Sequence, residues 1–499
     1  MRRLAILLAA LAAPALAQSA DPVVITDHGS VRGEAIGPGA AFRGIPFAAP
    51  PVGPLRWREA QPLKPWHGLR EAKAFGANCI QPETAERAGQ PQSEDCLTLT
   101  VVTPDRKARG LPVLFSIYGG AFYVGSGRYI AERDLSPIVR RGVVLVSPNY
   151  RVGRMGFFAH PALNAEAGRG TGNFWLSDQI AALRWVKANI ARFGGDPAKV
   201  TILGCSAGGS SINALMASPV PRGLFARAAS HSGGGFFNAT RSMAEALPQG
   251  IDFAARAGVT DTGAAGLVRL RALTPAQVLA ADPGPPNFGA IIDGYLLPKQ
   301  ISASFAAGEQ AHVPFIAGST SNEASVFGLM GFDAKVLEER FGIDFTKVRQ
   351  AYGALPEAEL LRRVQTDFLF TSAAQGMAGL AARAAPAWSY YFDYVPPAER
   401  GTTPGAPHCA DMRHTFGLTE AETATDRTID RVLQGYTYNF IATGDPNGTG
   451  LTAWPRVRPG KAAPLVIRDT ARAELNFKPA ELAYWFAKWR SDNGLAIMP

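Results

Sequence analysis

Apolar and polar positions along this chain switch repeatedly between two periods. Leu111–Tyr118 (LPVLFSIY) and Val143–Ser147 (VVLVS) are near-continuous apolar runs, as expected of strands buried on both faces of a sheet. Ser177–Phe193 (SDQIAALRWVKANIARF) has helical spacing instead, which predicts an amphipathic helix capped by Ser177 and closed by Gly194-Gly195. Further strand-like runs follow at Val200–Leu203, Phe225–Ser230, Val313–Gly318 and Trp388–Tyr394. Strands alternating with helices imply right-handed crossovers and a large, mostly parallel sheet with helices on both faces. Val23–Thr26 and Leu97–Val102 alternate more and predict an antiparallel edge. Residues 240–285 and 333–385 are helix-prone with few strand signals and are candidate helical insertions near a site.

The start of the chain changes the picture of where the protein works. Met1–Ala17 (MRRLAILLAALAAPALA) has a basic beginning, a short apolar run and a small-x-small end, the pattern of a secretory signal cleaved after Ala17. No later segment reaches about 18 uninterrupted apolar residues, so no membrane span is predicted. The expectation is an exported protein, periplasmic or secreted. Residues 18–499 contain no Pro/Ser/Gly-rich linker, charge run or internal repeat, so they read as a single domain. A hydrophobic content of 47% is ample for one large core. The formal charge of +9 falls by two when Arg2 and Arg3 leave, and the remaining Lys and Arg are scattered without interleaved aromatics. That pattern speaks against a nucleic-acid partner.

The stretch richest in chemistry is Val200–Gly209 (VTILGCSAGG). A strand-like run breaks into Gly204-x-Ser206-x-Gly208 and then into a helical pattern from Ser210 to Ala217, the order that a nucleophile elbow needs. A serine hydroxyl requires a base within hydrogen-bond reach and an acid to orient that base. In the chain order Ser, acid, His, the seven histidines reduce to His408 and His414, since His312 immediately precedes a buried strand. His408 lies in Gly405–Asp411 (GAPHCAD), a loop after the strand ending near Tyr394. For the acid, Glu323 follows the strand at 313–318, whereas Asp293 in Ile291–Tyr295 (IIDGY) reads as a turn residue. Tyr118-Gly-Gly-Ala-Phe122 follows a buried strand and can offer backbone N–H groups to an oxyanion.

Several longer motifs then stand in a meaningful order: Phe42–Arg56 (FRGIPFAAPPVGPLR), Ser93–Pro104 (SEDCLTLTVVTP) and Gly204–Gly209, with Asn149–Arg151, Gly172-Asn173, Phe193–Pro197 and Thr443–Asn447. Together they resemble the type-B carboxylesterases of the α/β-hydrolase fold, the group that includes cholinesterases, over nearly the whole mature chain. The resemblance implies Ser206 as nucleophile, Glu323 as acid and His408 as base, with oxyanion donors on Gly120, Ala121 and Ala207. It implies a small-molecule ester as partner and neither metal nor organic cofactor, and the oligomeric state is not legible.

The departures are informative. Cys205 precedes the serine where relatives commonly carry Glu, Ala324 follows the acid where Gly is usual, and Tyr118 replaces a frequent His. The loop between Cys79 and Cys96 is short and has no aromatic residue, so the choline-binding Trp of cholinesterases has no counterpart. The non-catalytic adhesion branch of the fold is the rival of another class, and an intact Ser206/Glu323/His408 set argues against it. Four cysteines in an exported chain permit three pairings. The resemblance supports Cys79–Cys96. That leaves Cys205 and Cys409, one beside the serine and one beside the histidine, which contact of Ser206 with His408 would bring within disulfide reach. Such a pairing resembles the Cys-Ser/His-Cys arrangement of tannases and feruloyl esterases. It raises aromatic-acid or polyacid esters, of feruloyl, tannate or tricarballylate type, beside a small or medium organic ester as the substrate.

Overall fold

In the computed structural model, residues 20–495 are described except 133–134, 235–239, 283–287, 419–420 and 459–462. The expected signal segment, Met1–Ala17, lies outside the described residues. The architecture is an eleven-stranded sheet whose strands we number in chain order: β1 (Glu34–Ile36), β2 (Gly39–Pro46), β3 (Thr98–Thr103), β4 (Leu111–Ile117), β5 (Val144–Pro148), β6 (Gly195–Cys205), β7 (Arg227–His231), β8 (Phe315–Thr320), β9 (Ala387–Phe392), β10 (Leu465–Ile467) and β11 (Ala471–Ala473). Their spatial order is β11-β10-β9-β8-β7-β6-β4-β5-β3-β2-β1. From β5 across to β10 every pairing is parallel, and antiparallel strands finish both edges.

The apolar runs are continuous because each face of the sheet has its own core. Along β4, Val113, Phe115 and Ile117 join one cluster with Ile202 of β6 and the helices Phe174–Asn189 and Ala207–Ala217. Leu114, Leu145 and Leu203 point the other way, into a cluster with Trp388 of β9 and the helix Ala424–Thr443. A period of two with both sets apolar is the signature of a sheet buried on both sides.

Two expectations need correction. Ser177 does not cap its helix: the helix begins at Phe174 with Asn173 as its N-terminal neighbour, and the Ser177 hydroxyl accepts the Ala60 N–H at 2.8 Å. Phe174, Trp175 and Leu176 are buried, so their packing extends the helix one turn past the residue whose side chain suits a cap. Val23–Ile25 is not at the edge of the main sheet. It pairs with Ser30–Arg32 in a separate three-stranded sheet completed by Leu69–Glu71, and Ile25 stays 69% exposed.

The helix-prone regions are helical, with Met243–Arg256, Ala264–Ala272 and Pro275–Ala280 in the first and four helices plus one π-helical turn, Asp367–Thr371, in the second. The second region reaches the site, because Arg362 Nη1 donates to the Ser321 carbonyl and Ala324 N–H to Thr366 Oγ1. Among the described residues no helix is long and apolar enough to cross a membrane.

Candidate active site

The loops leaving β4, β6, β7, β8 and β9 meet at the carboxyl end of the parallel strands, where open α/β sheets hold their ligands. Ser206 follows β6 directly, with φ 61° and ψ −127°. A side chain in that region is strained and must be held from outside. Here the Ser206 N–H donates to the His231 carbonyl at 2.9 Å, and the Ser206 carbonyl accepts from Ser210 N–H at 2.8 Å. The flanking glycines are steric requirements. A Cβ on Gly204 would lie 2.6 Å from the Gly208 backbone, and one on Gly208 would lie 2.2 Å from the Ile117 carbonyl.

The loop after β4 closes against this turn, since a Cβ on Gly119 would stand 2.8 Å from the Cys205 carbonyl and 3.1 Å from Ser206 Cβ. Gly120, Ala121 and Phe122 all have positive φ (112°, 55° and 59°), so the backbone curls tightly beside the serine.

Glu323 is fully buried at the first turn after β8. Its Oε1 accepts from Ser232 Oγ and from Thr320 N–H, both at 2.6 Å, and its Oε2 contacts His408 Nδ1. The acid and histidine loops are zipped together. Asn322 N–H donates to the Ala406 carbonyl, Ala406 N–H to Ser321 Oγ and His408 N–H to Ser325 Oγ. The Phe370 ring, on the π-helical turn, lies 4.9 Å from the His408 ring. His408 Nε2 is buried and has no hydrogen-bond partner among the described residues, so one ring nitrogen is fixed by a carboxylate and the other is free.

Cys205 and Cys409 are joined, with Cα atoms 6.1 Å apart across 204 residues of sequence, and Cys79 is joined to Cys96 with Cα atoms 5.0 Å apart. The first bond fastens the residue before Ser206 to the residue after His408. A ring nitrogen of His408 and the two sulfurs lie within 4.8 Å of one another, but the disulfide consumes both sulfurs and leaves no thiolate to ligate a metal.

The other candidates stand apart. Asp293 organises a turn, its Oδ1 accepting from the N–H groups of Tyr295 and Leu297 and its Oδ2 from Asn173 Nδ2. His414 contacts Asp430 at 2.7 Å.

Four residues not singled out from the sequence sit around the site. Ser232, at φ 46°, is the hydroxyl that holds Glu323. Beneath the elbow, His231 Nδ1 contacts Asp411 Oδ2 at 2.8 Å, and the Tyr390 hydroxyl donates to the same oxygen at 2.6 Å. Burial alone would raise the Asp411 pKa. Bonds from His231 and Tyr390 and the nearby imidazoles outweigh it and leave the carboxyl below its ordinary value. Burial, then the Asp411 charge, holds the Tyr390 phenol well above its own ordinary value. Asp411 belongs to the same GAPHCAD stretch as His408, and its position three residues on was the available signal.

Similarity to known proteins follows this geometry. The profile of the Carboxylesterase family matches residues 20–357 and 355–485. The fumonisin B1 esterase of Sphingopyxis macrogoltabida is 33% identical over 478 residues, covering 90% of this chain and 87% of that protein. The para-nitrobenzyl esterase of Bacillus subtilis (strain 168) is 32% identical, covering 87% of this chain and 92% of its own. Among solved structures, a PNB esterase superposes with a TM-score of 0.82 at 29% identity, over 93% of this chain and 99% of that one. A Geobacillus stearothermophilus carboxylesterase gives 0.81 at 30% identity, over 93% and 99%.

Proposed function

Because this chain belongs to the carboxylesterase family and is an esterase with an α/β-hydrolase fold, we propose that it hydrolyses a small or medium organic ester through an acyl-enzyme on Ser206. The observation that carries this reading is His408, its Nδ1 held by the buried Glu323 carboxylate and its Nε2 left free, on a loop bonded to the serine turn. His408 takes the Ser206 proton as the hydroxyl oxygen attacks the ester carbonyl, and Glu323 stabilises the imidazolium that forms. The N–H groups of Gly120, Ala121 and Ala207 receive the oxyanion, two from the curled loop after β4 and one from the first residue of the helix behind the serine. The alcohol leaves with the proton from His408, and water repeats the sequence on the acyl-enzyme.

The same reading takes residues 18–499 as one domain that is exported, periplasmic or secreted, and the two disulfides support that compartment. The substrate is decided by kinetics on short p-nitrophenyl acyl esters, hydroxycinnamates, gallates and tricarboxylate esters. We expect turnover of the short acyl esters. Preference for the aromatic-acid or polyacid esters would instead favour the second substrate reading, which the Cys205–Cys409 bond and the similarity to a fumonisin B1 esterase both support. No turnover of any ester, with Ser206 unlabelled by a fluorophosphonate, would overturn the mechanism.

A non-reducing peptide map of exported protein is expected to recover Cys205 linked to Cys409. Closing 204 residues is worth about 5 kcal/mol in the chain-entropy description. The effect on rate comes first, however. In Cys205→Ala/Cys409→Ala the histidine loop is free to drift by an ångström, and kcat should fall by about 10²-fold while the circular dichroism spectrum is retained. Both thiols alkylated without reduction, or full kcat in the double variant, would refute this role.

A further inference from the structure

The geometry points to Gln81, on the Cys79–Cys96 disulfide loop, as a positioning residue for the oxyanion loop, acting with the Tyr118–Tyr150 pair. This rests on the assignment of oxyanion donors proposed above and extends it to the elements that hold those donors still.

Two of the three donors, Gly120 and Ala121, lie on a loop that begins at Gly119 and ends at Gly125. Inside it the Gly120 carbonyl accepts from Tyr123 N–H at 2.9 Å and Val124 N–H at 3.0 Å, so its end and its beginning move together. Gly125 has no room to shift on the inner side, because a Cβ there would lie 2.6 Å from the Gly119 carbonyl and 2.5 Å from the Tyr118 ring. Its outer side is gripped by one side-chain amide. Gln81 Oε1 accepts the Gly125 N–H at 2.7 Å and Gln81 Nε2 donates to the Gly125 carbonyl at 2.8 Å, as a neighbouring strand would.

Gln81 is itself immobilised. It is 3% exposed, its Nε2 also donates to the Cys79 carbonyl at 3.0 Å, and its backbone N–H donates to Gln92 Oε1 at 2.9 Å. Cys79 is tied to Cys96 and pairs with Ser93. On the far side of Gly125, the Tyr118 ring stacks on Tyr150 at 4.3 Å. The Tyr118 hydroxyl donates to the Tyr150 carbonyl at 2.8 Å and the Tyr150 hydroxyl to the Tyr118 carbonyl at 3.0 Å. Disulfide loop, amide, glycine and two rings thus form one buried stack ending at the loop that faces Ser206. An oxyanion hole works only if its donors need no reorganisation during reaction, so this stack sets the rate rather than the binding of substrate.

The test uses Gln81→Leu and Tyr150→Phe in the full chain, with kcat and KM expressed per site titrated by a fluorophosphonate. Two inhibitors accompany it: a trifluoromethyl ketone, which forms an oxyanion on the serine, and the product alcohol, which does not. Gln81→Leu should lower kcat by about 10- to 100-fold per titrated site and weaken the ketone by the same factor, leaving alcohol binding unchanged. Tyr150→Phe keeps the ring stack and should show the same signature at about 3- to 10-fold, so it carries the test if Gln81→Leu fails to fold. Wild-type kcat per titrated site in both foldable variants, or equal loss of ketone and alcohol binding, would overturn the inference. Gly119→Ala separates the two readings, because its Cβ intrudes beside the serine. If it abolishes ketone affinity while Gln81→Leu and Tyr150→Phe are neutral, only the positioning role fails. If it is neutral as well, the donor assignment fails.

Discussion

Ser206→Ala is expected to lower ester turnover by about 10⁴-fold or more while leaving the fold intact. Each half of that expectation has its own physical source. The loss arises because no other hydroxyl can replace this one. The helix behind it and the glycine loop beside it are arranged around the single backbone position that follows β6, and the Cys205–Cys409 bond ties the His408 loop to the residue before it. The intact fold follows from what the side chain does not do. The contacts that hold the turn at φ 61° are made by the Ser206 backbone, through the His231 carbonyl and Ser210 N–H, and alanine keeps both. Alanine also fits the space left by Gly204 and Gly208. The measurement is kcat for the best ester of the panel beside a thermal melt. Unimpaired turnover with an unchanged melt would remove Ser206 from the chemistry.

The second large effect distinguishes two carboxylates. Glu323→Gln should cost on the order of 10³- to 10⁴-fold in kcat, because an amide at Nδ1 no longer selects the tautomer whose Nε2 can accept the serine proton. Asp293→Asn should leave the chemical step within a few-fold of wild type and act on stability instead. Its two N–H partners, Tyr295 and Leu297, still find an amide oxygen, and only the bond from Asn173 is compromised. The pair is measured together, as kcat and as melting temperature. Severe loss of kcat confined to Asp293→Asn would show that the other carboxylate orients the base. The Glu323 variant also carries a built-in control, since Gln retains acceptance from Thr320 N–H and Ser232 Oγ through Oε1 and so preserves the loop.

Much of this site was legible in the sequence because its constraints are local. Gly204 and Gly208 are needed where backbones approach within a Cβ diameter, and such requirements leave glycines at fixed offsets around Ser206. The buried strands were legible because both faces are covered, which removes charged residues from β4 and β5 and leaves each a single serine. What stayed hidden depends on single polar residues meeting across long separations. Gln81 finds Gly125 over 44 residues and His231 finds Asp411 over 180, and no spacing rule marks either pair. Ser232 occupies a strand end after β7, a place rich in functional residues, yet one serine among glycines carries no pattern of its own. The cap was misplaced at Ser177 for the opposite reason: a good local signal was outweighed by the burial of Phe174, Trp175 and Leu176.

The bond between Cys205 and Cys409 also has a consequence in time. Cys79 and Cys96 lie 17 residues apart and can close soon after both reach the oxidising compartment, whereas Cys205, in a chain exported as it is made, must wait for 204 more residues. At about 5–20 residues per second that is about 10–40 s of synthesis. Through that interval the partner of Cys205 does not yet exist, and the thiols within reach are those of Cys79 and Cys96. Early closure of the short loop therefore protects the later bond from mispairing. Of the two bonds, the one that fastens the His408 loop to the serine turn is therefore the later to become possible, because His408 and Cys409 arrive together, 204 residues after Cys205.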